Sequence, residues 1–158
     1  MSVRADSMFA LAKLPWEVEW QGINVSDKAS GAGGDITIKR EGSTVLAVEV
    51  TERPIDRGRV ISTFNTKISP HAIDDYLFFF SAAVPTEEAR AAAKQYFAQG
   101  HDINFVPVKD WIITTLTTIG SKCRAQFTEN FIELLSVGTV PGKLKVAWND
   151  LIQGLVVS

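Results

Sequence analysis

The chain has 158 residues, 46% of them hydrophobic and 22% charged, with a formal net charge of −2. That size suits one domain over 1–158 with its own buried core, either standing alone or serving as the catalytic core or subunit of a larger system. The charge excludes a generic nucleic-acid coat protein, though a local basic strip is enough to meet phosphates. The single cysteine, Cys123, excludes an internal disulfide framework and a multi-cysteine zinc site.

In chain order, Asp6-Ser7 is expected to cap a short helix carrying Met8, Phe9, Leu11, Ala12 and Leu14, closed by Pro15. Trp16 to Val25 alternates loosely and reads as a first strand. Ser26 to Gly34 is rich in Ser, Ala and Gly and leads into Asp35. Two arms of a β-hairpin follow, Gly34 to Lys39 and Val45 to Thr51, joined by Arg40 to Thr44. Their period-2 alternation gives each arm an apolar face (Ile36, Ile38; Leu46, Val48, Val50) and a polar or small-residue face. The latter holds Asp35, Thr37 and Lys39 on one arm and Ala47, Glu49 and Thr51 on the other.

Beyond the hairpin, Asp56 is a plausible N-cap for a helix presenting Val60, Ile61, Phe64 and Ile68, ended by Ser69-Pro70. The apolar run from Asp75 to Ser81 predicts a strand covered on both faces. Pro85-Thr86-Glu87-Glu88 opens a helix running through Phe97, with Gly100 as its stop. Ile103 to Pro107 is a further strand, Val108 to Leu135 two helices split at Gly120-Ser121, and Lys143 to Trp148 an expected strand in the tail. The pattern predicts an α/β fold with a mixed central sheet and an acidic β-hairpin flanked by helices. The longest apolar run, Tyr76 to Val84, is strand-sized, so no membrane span is expected. The first residues lack a secretory core, which with the lone cysteine points to the cytoplasm.

The hairpin carries the chemistry. With Gly42 at the centre of the turn, Lys39 should pair with Val45, Thr37 with Ala47 and Asp35 with Glu49. Directly opposed residues have Cβ atoms roughly 4.5–5.5 Å apart, so two carboxylates would face each other on the polar side of a sheet packed on its other side. Their repulsion disappears if they share a divalent cation. Mg²⁺, or Mn²⁺ in its place, takes oxygen ligands and keeps several waters; the Val50 carbonyl could add a third oxygen. The plainer reading makes Asp35 a turn residue and Glu49 a solvated strand residue.

Gly34-Asp35, thirteen intervening residues and Glu49-Val50-Thr51-Glu52-Arg53, followed by a helix and an apolar strand, resemble the PD-(D/E)xK nuclease superfamily. More narrowly, Ser30 to Asp35 and Val48 to Pro54 look like the SacI-type restriction endonuclease family. The resemblance implies a restriction-endonuclease-like core and Mg²⁺-dependent hydrolysis of phosphodiesters in double-stranded DNA, with Asp35 and Glu49 as metal ligands. The superfamily pattern also wants a lysine two residues after the second acid, and this chain has Thr51 there. A hydroxyl can contact the nucleophilic water but brings no charge. Lys39 lies four residues beyond Asp35, roughly 13 Å along a strand, too far to substitute. Lys67 cannot be placed from sequence and, like Asn65, reads as a solvent-facing helix residue.

Arg53, Arg57 and Arg59 surround the strand-to-helix junction and are candidate DNA-phosphate contacts, with Lys28 and Ser30 in the Gly-rich approach. Cutting both strands of a duplex calls for two active sites, so a homodimer is expected, and Trp111 with Ile112-Ile113 is a candidate dimer surface. The alternative is a nuclease-fold module that has lost its lysine and binds DNA or a partner protein without cutting.

Overall fold

The computed structural model describes residues 16–20, 33–136 and 140–156. The expected first helix, Lys28 and Ser30 lie outside them. Five strands form one mixed sheet in the order β1-β2-β3-β4-β5. They are β1 (Trp16–Trp20), β2 (Ile36–Arg40), β3 (Ser43–Thr51), β4 (Asp75–Phe80) and β5 (Asp102–Pro107). The first three are antiparallel neighbours, while β3, β4 and β5 run parallel. Parallel neighbours need crossovers. Here α1 (Arg57–Thr63) leads from β3 toward β4, and α2 (Glu87–Phe97) from β4 to β5.

The β2–β3 turn has only two residues, Glu41 and Gly42, both with positive φ (53° and 80°). That backbone matches the twist of a tight hairpin, and Gly42 adopts it without the steric cost of a Cβ. The turn closes on Arg40 opposite Ser43, whereas Thr37 lies opposite Ala47 as expected. Three steps on β2 therefore face four on β3. A bulge absorbs the extra residue, so Lys39 meets Thr44 instead of the anticipated Val45.

A second expectation is overturned. The face carrying Ala47, Glu49 and Thr51 is a packed face. On β4 these residues meet Tyr76, Phe78 and Phe80 in register. Ala47 and the three β4 aromatics belong to a buried cluster with Ile55, Val60, Ile68, Ala89, Ala92 and Ile103. The reason is topological: both crossover helices cover this side, and the β4 aromatics supply apolar surface that the hairpin alone lacks. Glu49, 8% exposed, is thus a carboxylate at the margin of a core. The opposite face also buries Ile38, Val48 and Phe79, but leaves Val50 51% exposed.

Asp56 caps α1, its Oδ1 accepting the Arg59 N–H at 2.8 Å. The helix then loosens into a π-helical turn, Phe64–Ile68, and a 3₁₀ turn, Ser69–His71, before Ala72 turns left-handed at φ 49°. Thr86 caps α2, accepting from the Ala89 N–H, with Glu87 and Glu88 in its first turn. The helices α3 (Val108–Thr118), α4 (Gly120–Ser136) and α5 (Gly142–Val156) complete the described residues. Trp111 of α3 packs on Phe79, ring centroids 5.0 Å apart. The strand expected at Lys143 to Trp148 is helical. Leu144, Trp148, Leu151 and Ile152 repeat at helical spacing over a longer window than the local alternation. Among the described residues no helix is long and apolar enough to cross a membrane.

Candidate active site

The site begins with a glycine. At Gly34 the chain crosses β3 so closely that a Cβ would lie 2.6 Å from the Val48 carbonyl oxygen. Only a residue without that atom fits unless the backbone shifts. The close crossing holds Asp35 against β3, where its Oδ2 accepts the Val50 N–H at 2.7 Å. Extending the register from Ile36–Val48 by one residue sets Asp35 opposite Glu49. Both carboxylates line one open pocket of about 430 Å³, together with Val50, Thr51, Glu52, Arg53, Arg59 and Lys67.

Glu49 is held from three directions. Arg59 Nη2 donates to its Oε1. Lys67 Nζ donates to Oε2 at 3.1 Å, and the Tyr76 hydroxyl donates to the same oxygen at 2.9 Å. Burial works against the charged form. The Arg59 hydrogen bond, the Lys67 charge and the Tyr76 and Lys67 hydrogen bonds outweigh it and hold the carboxyl below its usual range.

The sequence-predicted residues divide accordingly. Asp35, Glu49, Val50, Thr51, Arg53 and Arg59 share the pocket, while Arg57 is exposed and outside its lining. Arg59 turns to Glu49 because the capped first turn of α1 begins directly beneath the strand end. Thr51 is buried, and its Oγ1 accepts the Arg53 N–H at 3.1 Å just beyond the strand end. Asn65 is exposed as anticipated, but Lys67 is not a bystander. It reaches the pocket from the π-helical turn, 18 residues beyond Glu49. Tyr76, assigned to the core, is buried and yet directs its hydroxyl at Glu49. The available signal for Lys67 was its spacing of eight from Arg59, which brings two cations near one side of a helical segment.

The donor set suits a hard cation. Asp35, Glu49 and Val50 line one mouth, where Glu49 is paired with Arg59 and Lys67, and the protein need supply few ligands when the ion retains water. No group of three or more His, Cys, Asp or Glu side chains placed to hold a metal occurs among the described residues. The pocket lining balances three carboxylates (Asp35, Glu49, Glu52) against three cations (Arg53, Arg59, Lys67). Such a site can take a cation on one side and a phosphate on the other. Set against models of known protein families and against curated protein sequences, the chain matches none.

Proposed function

We propose that this protein is a Mg²⁺-dependent endonuclease of restriction type that hydrolyses phosphodiester bonds in double-stranded DNA. The observation that carries the reading is the joint lining of one open pocket by Asp35 and Glu49 with Arg53, Arg59 and Lys67. Asp35, Glu49 and the Val50 carbonyl would hold the metal. When bound, such an ion lowers the pKa of a water and neutralises charge on a phosphoryl oxygen. Lys67, 3.1 Å from Glu49, supplies the positive charge that Thr51 cannot. Its ammonium orients the attacking water and steadies the phosphate oxygens, while Arg53 anchors the phosphate alongside. Thr51 shapes the floor of the site, its hydroxyl contacting the water on the side away from the Arg53 N–H. Two copies acting on opposite strands would complete a double-strand cut.

Supercoiled DNA incubated with the purified protein and Mg²⁺ should be converted to linear form, and Asp35→Ala or chelation should abolish the conversion. Equal behaviour of wild type and Asp35→Ala removes the catalytic claim. Lys67→Ala should slow cleavage by ~100-fold, the scale of a positioned proton-transfer or charge-stabilising group. A particle mass of one chain at working concentration would remove the dimer.

A second reading is favoured by one observation: both Glu49 oxygens are already engaged by protein donors. A module using this cluster structurally would bind DNA or a partner protein without cutting. It predicts retained DNA binding, no cleavage, and no change in melting temperature on adding Mn²⁺.

A further inference from the structure

Arg59 occupies one Glu49 oxygen, while Lys67 and Tyr76 share the other. A divalent cation cannot use Oε1 while a guanidinium is paired to it, because two positive charges at such separations repel strongly. Arg59 is the partly exposed donor whose departure frees an oxygen outright, since Lys67, 20% exposed, shares Oε2 with Tyr76. It sits in the first turn of α1, its side chain is 22% exposed, and it lines the open pocket. Tyr76, by contrast, is fully buried. A guanidinium binds phosphate oxygens in a bidentate fork at least as readily as it binds a carboxylate.

We propose that Arg59 makes metal binding depend on the substrate: a phosphate entering the pocket draws the guanidinium from Glu49 Oε1 and releases that oxygen to the divalent cation. Anion and cation then strengthen each other's binding by the same factor, as linkage requires. The inference rests on the nuclease reading for the nature of both ligands. It deepens that reading by giving the site a gate: metal is held tightly only when a phosphate is present.

The test is Mn²⁺ titration of the full chain by calorimetry, with and without inorganic sulfate as a tetrahedral anion, ionic strength being matched with chloride. Wild-type Mn²⁺ affinity should rise at least ~fivefold with sulfate, the lower end of typical coupling. Arg59→Gln should bind Mn²⁺ tightly without sulfate and respond little to it, and Arg59→Lys should restore part of the response. Lys94→Gln removes an equal charge from the exposed face of α2, outside the pocket lining, so it should keep the sulfate response. The proposal is overturned by wild-type Mn²⁺ affinity indifferent to sulfate, by an Arg59→Gln variant keeping the full response, or by no Mn²⁺ binding in any protein. If Arg59→Gln fails to fold, the wild-type titrations and Arg59→Lys decide. Failure of the nuclease reading shows separately, as supercoiled DNA left intact by a wild type that does bind Mn²⁺.

Discussion

At the scale of residues, the site depends on one absent side chain and one buried charge. Gly34→Ala would push a methyl group into the Val48 carbonyl, 2.6 Å away. We expect it to cost about 2 kcal/mol, in line with forced overpacking, and to displace Asp35. Denaturant unfolding and DNA cleavage should both report it. Glu49 fixes a pH dependence. Its folded pKa lies below the ordinary 4.5, so the stability it contributes is fully present above about 4.5 and is lost as pH falls through the depressed folded value. Glu49→Gln should flatten the acid limb of a melting-temperature profile. Tyr76→Phe removes a hydrogen bond to a charged group, a loss of about 2 kcal/mol. It should also raise the Glu49 pKa, shifting the acid limb to higher pH. An unshifted limb would show that the hydroxyl does not bond the carboxylate.

At the scale of elements, the π-helical turn Phe64–Ile68 decides where Lys67 points. Such turns carry an extra residue relative to an α-helix and occur frequently at functional sites. Removing exposed Thr66 takes out that extra residue, so α1 should continue as a regular helix with the residues beyond it kept in register and Lys67 drawn off the bulge that carries it to Glu49. Cleavage should then fall as far as in Lys67→Ala, with helical content by circular dichroism kept. If cleavage survives the deletion, Lys67 has no positional role. The two-residue hairpin turn acts at the same scale. It pins Arg40 to Ser43, and the bulge beyond it restores the register that aligns Thr37 with Ala47 and, one pair beyond Ile36–Val48, Asp35 with Glu49.

At the scale of the whole molecule, stability is unevenly spread. The sheet, α1 and α2 enclose the buried cluster, whereas none of the described side chains of α3, α4 or α5 is buried. Ile113, Ile132, Leu144, Val146, Leu151 and Ile152 are conspicuously exposed on those helices. Regions with few buried apolar contacts open locally at low free energy. Amide hydrogen exchange should therefore be slowest in β3, β4, α1 and α2, and faster by orders of magnitude across α4 and α5. Uniform protection across both regions would contradict this division.

Much of the architecture was legible in the chain because local rules acted alone. Period-2 alternation located β2 and β3, Thr86 and Gly100 bracketed α2, and Asp56 started α1 where its side chain could cap. The pairing of Thr37 with Ala47 followed from the same alternation, since a shift of one residue would have turned every side chain of the arm to the other face. Helix α5 escaped because a short alternating window imitates a strand. Two matters needed the tertiary structure. The sheet face that packs was decided by β4 and the crossover helices, whose aromatics and alanines are distant in sequence from the hairpin. The cations that reach Glu49 were decided by the path of the chain after Pro54, where a capped first turn aims Arg59 and a π-helical turn aims Lys67. Alternation specifies which residues share a face of a strand; it holds no information about what another element brings to that face.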